Sequence, residues 1–133
     1  MSSIDLRDVL VAFVSILIAI TVHEFGHAWV ADKLGDPTPR RHGRVSLSPI
    51  VLIRAEPFGT VIIPLIGAFM GFLFGYASTP VAPQLAHKAG SIRRAEFFIA
   101  FAGPLFNLVL FLVCSFLLRT MVIGRAIRFL NCS

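Results

Sequence analysis

A long apolar stretch at residues 9–31 contains the pattern His23-Glu24-Phe25-Gly26-His27, and this combination constrains the fold more than any other feature. As a helix the stretch is about 34 Å long, enough to cross the roughly 30 Å hydrocarbon core of a membrane. Its only charged or imidazole-bearing side chains are those of the pattern. Burying three such groups in lipid is costly unless a metal ion or polar partners compensate them. The sequence therefore predicts a metal site inside a transmembrane helix.

The spacing of the two histidines matches one helical turn, so the imidazoles of His23 and His27 can reach one Zn²⁺ ion from the same face. Glu24 is the predicted general base, because a carboxylate beside the metal can take a proton from zinc-bound water, whose pKa is lowered to about 7. Hydrolysis of an amide bond by a metalloenzyme needs this combination of a metal ion, a bound water and a base. Because so short a pattern also arises by chance, the prediction depends on its apolar surroundings.

Composition places the chain among membrane proteins. Of its 133 residues, 56% are hydrophobic and only 14% are charged, against about 25% charged in soluble domains. We expect a single domain over residues 1–133, because no linker, repeat or low-complexity tract divides the chain. The net charge of +5 does not indicate a nucleic-acid partner, since the basic residues lie in loops beside apolar segments, as positive-inside bias predicts.

Two further features bear on processing and redox state. Cys114 and Cys132 have the spacing of neither a metal-binding pair nor a disulfide framework, so we expect free thiols. The N-terminal apolar run carries the histidines and has no Ala-x-Ala-like site before Asp32, so we expect no cleavable signal peptide.

The predicted fold class is an all-α polytopic membrane protein with two or three transmembrane helices. Residues 97–118 form a second clear span. Residues 58–76 are apolar but contain a proline and four glycines, so this broken middle segment either crosses the membrane or re-enters it. Residues 44–48 and 51–54 are β-branched or alternating, and they predict a small β-hairpin after the first helix.

Charge counting predicts one orientation. If residues 58–76 cross the membrane, the side that holds the loop after the first span has eight basic residues, and the opposite side has four. If they re-enter, the middle region, residues 33–94, has eight against four at the two ends. Both alternatives place that loop in the cytoplasm of a multi-pass cell-membrane protein. Residues 120–133 predict a basic amphipathic tail in the membrane interface.

Six short motifs follow one another between residues 16 and 110. They are HEFGHA at 23–28, GDPTP at 35–39, GRVSLSP at 43–49, EPFGT at 56–60, GYASTPV at 75–81 and AGPLFN at 102–107. Each is weak alone, but their order and spacing together resemble the site-2 protease family of intramembrane zinc metalloproteases.

This resemblance implies an intramembrane zinc endopeptidase that cuts the peptide bonds of partly unwound membrane-spanning substrates. It implies His23 and His27 as zinc ligands, Glu24 as general base, and Asn107 as a polar residue near the scissile carbonyl. Without the family pattern, Asn107 would be interpreted as a hydrogen bond between helices, and Gly103-Pro104 as a site of close packing and a kink.

The resemblance also implies a third zinc ligand, an Asp in an Asn-Pro…Asp-Gly motif on a further helix, and the sequence contains no such motif. Glu56 is the substitute to test, ahead of His42, which lies among basic loop residues. Three hypotheses follow. The chain is a zinc endopeptidase that is truncated or is completed by a second chain or an oligomer, an inactive relative acting as a membrane-embedded binding or regulatory protein, or a partial gene product.

Overall fold

The structure, a computed structural model, describes residues 5–72 and 74–132. Within these ranges the α-helices are α1 (Leu6–Lys33), α2 (Thr38–Arg41), α3 (Pro49–Ala55), α4 (Ile63–Met70) and α5 (Ile92–Asn131). A π-helical turn, Phe58–Ile62, leads directly into α4, and two 3₁₀ turns, Pro83–Leu85 and His87–Ala89, precede α5. The predicted all-helical architecture is confirmed, with α1 packed mainly against α5.

In the described part of the chain, α1 and α5 are each long and apolar enough to cross a membrane. They contain the two clear spans expected from the sequence, residues 9–31 and 97–118, which are confirmed as helices. Pro104 lies inside α5 without ending it. The helix also continues through residues 120–131, so the predicted interfacial tail is a continuation of α5 as far as the described residues extend.

α1 begins and ends where its sequence supplies capping groups. The Asp5 side chain accepts a hydrogen bond from the Arg7 backbone N–H, satisfying one of the free donors of the first turn. At the other end Gly35 has φ +103°, a left-handed conformation that favours glycine after a helix. The Asp36 N–H then donates to the Ala31 carbonyl at 3.0 Å, which closes the helix end.

The predicted β-hairpin is wrong, since the described residues contain no strand. Residues 44–48 are irregular, and residues 51–54 lie in α3. Pro49 occupies the first turn of α3, where its fixed φ favours the start of a helix. Leu52 is buried, and α3 packs against α1. This packing outweighs the strand propensity of the β-branched residues in the segment, because such propensity depends strongly on context.

The middle apolar segment, residues 58–76, turns back on itself. Gly71, with φ +84°, ends α4 in a left-handed conformation. The Tyr76 N–H then donates to the Gly59 carbonyl at 2.9 Å. A Cβ on Gly59 would collide with the Tyr76 carbonyl oxygen, so glycine is what permits this contact. The two ends of the segment are thus joined by a hydrogen bond. α3 and residues 58–70, bent by 119° against each other, together form either a broken span or a re-entrant loop.

An extended segment, residues 74–82, which we call the strap, returns from α4 alongside α1. At its beginning Gly75 lies against the side chain of Ile20, and further along Thr79 reaches Glu24. The strap therefore follows α1 in the direction of its C-terminal end and passes over the predicted metal site.

The buried carboxylate of Asp36 anchors the far end of the strap. Asp36 has 0% exposure. Its Oδ2 accepts a hydrogen bond from the Ala82 N–H at 2.6 Å, and its Oδ1 accepts one from the Thr38 N–H at 2.9 Å. A single side chain thus joins the turn after α1 to the strap.

We expect Asp36→Ala to lower the free energy of unfolding by about 2–4 kcal/mol, because two buried backbone N–H groups lose their acceptor. Asp36→Asn retains one amide oxygen and should cost less. Thermal unfolding in detergent micelles measures both effects.

Asp32→Ala is the matched control. Asp32 pairs at 2.7 Å with Arg40, whose side chain is 67% exposed, so its loss should cost less than about 1 kcal/mol. Equal destabilisation by the two alanine variants would contradict the anchoring role of Asp36.

Candidate active site

α1 and α5 approach each other closely where both carry glycine. A Cβ on Gly26 would lie 2.8 Å from the Ala102 carbonyl oxygen. A Cβ on Gly103 would lie 2.5 Å from Nε2 of His27 and 2.7 Å from Cε1 of His23. Small residues allow helices in lipid to pack backbone to backbone. The backbone of α5 therefore forms the wall against which both imidazoles rest.

The structure brings three of the predicted site residues into one cluster. Ligating atoms of His23, Glu24 and His27 all lie within 4.8 Å of one another. The two imidazole rings meet edge to face, with their centroids 4.7 Å apart. Two imidazole nitrogens and a carboxylate oxygen form a donor set that suits zinc.

A backbone contact fixes the orientation of His27, one of the two predicted zinc ligands. Its Nδ1 lies 2.6 Å from the Ile99 carbonyl oxygen, which can only accept, so Nδ1 carries the hydrogen and donates it. Nε2 then keeps its lone pair free, an arrangement typical of metal-bound histidines. A side chain at Gly103 would reach this same Nε2. Glycine there keeps the space beside the ring nitrogen open, so the residues present fit a zinc ion.

A hydroxyl from the strap holds the carboxylate of the cluster. Glu24 is buried, and the Thr79 hydroxyl donates to its Oε2 at 2.6 Å. Thr79 belongs to one of the motifs noted in the sequence, but nothing there assigned it a role. It lies 55 residues from Glu24, and only the path of the strap brings the two together.

Two cavities meet at His23 and Glu24. One, of about 440 Å³, is also lined by His27 and Glu96. The other, of about 260 Å³, is also lined by Asn107. Binding pockets in proteins typically have volumes of about 300–1,000 Å³. The cluster is therefore open to a ligand from two sides.

Asn107 reaches the cluster with unused hydrogen-bonding capacity. Its Oδ1 is buried, and no described group hydrogen-bonds to it. A buried polar atom without a partner is uncommon and calls for a functional explanation. The interhelical hydrogen bond considered from the sequence is not seen in the described structure, whereas the shared cavity places Asn107 beside His23 and Glu24.

The candidates for a third zinc ligand lie outside the cluster. Glu56 accepts a hydrogen bond from the Ser78 hydroxyl at 3.4 Å, and His42 Nδ1 lies 2.9 Å from the Thr38 carbonyl oxygen. Among the described residues, no other histidine, cysteine or carboxylate joins the group of three. Both cysteines are free and exposed, as expected.

Residues 11–128 match peptidase family M50. The chain belongs to this family. It is 37% identical over 109 residues to "Putative zinc metalloprotease YwhC" of Bacillus subtilis (strain 168), a match that covers 81% of this chain and 45% of that protein. It is 34% identical over 111 residues to "Regulator of sigma-E protease RseP" of Escherichia coli (strain K12), covering 78% and 24% respectively. The chain thus spans less than half the length of these curated relatives. No solved structure matches it significantly.

The resemblance to site-2 proteases seen in the sequence is thereby confirmed. This is a family of membrane metalloproteases, and zinc is the metal that the family implies. α1 and α5 are the helices that suit the membrane. The family implies zinc, and the cluster offers a donor set that suits it, on a helix long and apolar enough to cross a membrane.

We expect purified wild-type protein to carry zinc, and His23→Ala and Gly103→Ala to carry at least about tenfold less per chain. The first variant removes a ligand, and the second places a methyl group against the nitrogen of another. Mass spectrometry of metal content in detergent-purified protein measures both.

Gly124→Ala is the matched control, because a Cβ at this position of the same helix meets no atom within 4 Å. Its zinc content should equal that of the wild type. Wild-type zinc no higher than in His23→Ala would contradict a zinc site formed by this chain.

Proposed function

We propose that this chain acts as an intramembrane zinc metalloendopeptidase of the site-2 protease type, which hydrolyses peptide bonds in membrane-spanning proteins. One observation carries the proposal. In a chain of peptidase family M50, the His-Glu-His cluster lies where two helices of membrane-spanning length pack together. The names of the two relatives, a zinc metalloprotease and a protease, support the same reaction.

Glu24 is the proposed general base. When bound, zinc would supply a Lewis acid that makes water in the site more acidic. The carboxylate of Glu24 lies within 4.8 Å of both ligating imidazole nitrogens. Its Oε2 accepts a hydrogen bond from the Thr79 hydroxyl, while Oε1 accepts no hydrogen bond from the described residues. The carboxylate, through the oxygen left free by Thr79, is the group proposed to take a proton from the attacking water and then to deliver it to the departing amine.

Asn107 is the proposed donor to the scissile carbonyl. Its side-chain amide provides two N–H groups, and it lines a cavity together with Glu24. Negative charge develops on the carbonyl oxygen as water attacks, and a fixed amide donor stabilises that charge more in the transition state than in the substrate.

The complete site requires one more protein ligand. Catalytic zinc sites usually have three protein ligands and water, and two imidazoles come from the cluster. We propose that a second chain, or another copy of this chain in an oligomer, supplies the third ligand. The substrate is a transmembrane segment that is partly unwound, since a peptide bond within a regular helix has its carbonyl already hydrogen-bonded.

Glu24→Gln should reduce cleavage by about 10³-fold while retaining zinc, because the variant loses the proton acceptor but no imidazole. Asn107→Ala should reduce it by about 10²-fold. The assay uses a purified single-span peptide with an Asn-Pro pair in its span and a quenched fluorophore, reconstituted with the protein in liposomes.

Glu56→Gln is the control carboxylate, which lies outside the cluster and should cleave like the wild type. Cleavage by Glu24→Gln at the wild-type rate would refute the role of Glu24. If the wild-type protein neither binds zinc nor cleaves the peptide, the alternative applies, namely an inactive relative that acts as a membrane-embedded binding or regulatory protein.

We also propose a location in the cell membrane with the middle region, residues 33–94, in the cytoplasm. With residues 58–76 as a re-entrant loop, α1 and α5 are the two crossings, and the chain ends lie on one side. The middle region carries eight of the twelve basic residues, and positive charge favours the cytoplasmic side.

A membrane-impermeant maleimide applied to intact cells tests this orientation. A variant retaining only Cys132 should be labelled. A variant with His42→Cys in a background of Cys114→Ser and Cys132→Ser should be labelled only after the cells are opened. The opposite pattern would reverse the proposed orientation.

A further inference from the structure

We infer that Thr79 is the positioning residue for the general base: its hydroxyl holds the Glu24 carboxylate in one orientation and ties the strap to the catalytic cluster. The inference rests on the function proposed for Glu24. Neither the sequence pattern nor the family comparison assigns a role to this threonine. Four hydrogen-bond contacts support the inference: two between Thr79 and Glu24, and one on each side of Thr79 along the strap.

The first contact is the hydrogen bond itself. Thr79 Oγ1 lies 2.6 Å from Glu24 Oε2 and 3.3 Å from the Glu24 backbone carbonyl oxygen. A hydroxyl has one hydrogen to give, and the shorter distance marks the stronger of the two contacts. The hydrogen therefore goes to the carboxylate, and the backbone carbonyl receives at most a weak secondary contact.

Thr79 is the partner that fixes the carboxylate. The ion pair found among the described residues, Arg40 with Asp32, is remote from the cluster, and Glu24 forms none. Glutamate has several rotatable bonds, so a buried carboxylate held at one oxygen loses most of its freedom to turn. With Oε2 bound to Thr79, the orientation of the Glu24 carboxylate within the His-Glu-His cluster is fixed.

The threonine is itself held from both sides. Upstream, the Tyr76 N–H binds the Gly59 carbonyl at 2.9 Å, and downstream the Ala82 N–H binds the buried Asp36 carboxylate at 2.6 Å. Pro80 follows Thr79 directly and restricts the backbone of the preceding residue to extended conformations. The β-branched side chain is also stiff about χ1. The hydroxyl is thus presented by a fixed backbone through a rigid side chain.

This arrangement predicts a particular effect of Thr79→Val, which keeps the shape of the side chain and removes the hydroxyl. Cleavage of the single-span peptide should lose about 10–100-fold in kcat, the usual effect of removing a group that orients a catalytic one. KM should change by less than about twofold, because substrate contacts remain. Thr79→Ser restores the donor and should recover kcat to within about threefold of the wild type.

Ser78→Ala is the matched control. It removes the neighbouring hydroxyl of the strap, which contacts Glu56 at 3.4 Å and not Glu24. This variant should keep wild-type kcat. Zinc content should be unchanged in all three variants. The melting temperature should be unchanged in Thr79→Ser and Ser78→Ala but lower in Thr79→Val, because the buried Glu24 carboxylate loses a hydrogen-bond donor. Measuring kcat well below that melting temperature, with zinc retained, separates positioning from unfolding and from metal binding. In a Glu24→Gln background, Thr79→Val should cause no further loss, because groups that act as a unit are not additive.

A second readout does not depend on catalysis. Hydrogen–deuterium exchange followed by mass spectrometry reports the protection of the backbone amides in the strap. Loss of the hydroxyl in Thr79→Val should speed their exchange by about 10-fold or more, an effect that Thr79→Ser should not show.

The outcomes are distinguishable. If Glu24→Gln abolishes cleavage and Thr79→Val keeps wild-type kcat, the inference is overturned while the proposed function stands. Equal loss of kcat in Thr79→Val and Thr79→Ser would also overturn it, since shape rather than the hydroxyl would then matter. If the wild type does not cleave but Thr79→Val alone loosens the strap, the proposed function fails and the Thr79–Glu24 pair remains. Unchanged exchange without cleavage would reject both.

Discussion

The close backbone approach of α1 and α5 is the contact on which the rest of the structure depends. Within lipid there is no hydrophobic gain in bringing two apolar helices together, so packing and polar contacts must hold them. Gly26 and Gly103 remove the side chains that would separate the helices. The same approach brings the Ile99 carbonyl to His27, which selects the ring tautomer. One contact between helices therefore both assembles the protein and orients His27, one of the two predicted metal ligands.

Around this helix pair, the strap forms a second layer that relies on buried polar groups. Asp36 is fully buried and accepts two backbone hydrogen bonds, which offset the free-energy cost of removing its side chain from water. The paired backbones of Gly59 and Tyr76 fix the other end of the strap. The polar atoms of an extended segment beside apolar helices need such partners, because non-helical backbone survives at membrane depth only when protein or water satisfies it.

Sequence reasoning succeeded where the signal is local and failed where it is not. The spans and the His23, Glu24, His27 cluster follow from hydropathy and helical spacing. The prediction of a β-hairpin was wrong because β-branched residues at 51–54 favour strands only in a suitable environment, and here they pack as a helix. The fold-back of residues 58–76 remained open in the sequence, since glycine and proline suit both alternatives. The hydrogen bond between Thr79 and Glu24 joins residues 55 positions apart, so no local sequence pattern could predict it.

Pro104 has a consequence for the wall of the larger of the two cavities beside the cluster. Proline has no backbone N–H, so the Ala100 carbonyl, four residues earlier in α5, receives no helical hydrogen bond from this position. Ala100 lines the larger cavity together with the cluster. α5 therefore gives up one internal hydrogen bond in the very turn that borders this cavity, and the packing of α5 against α1 must hold that turn in place.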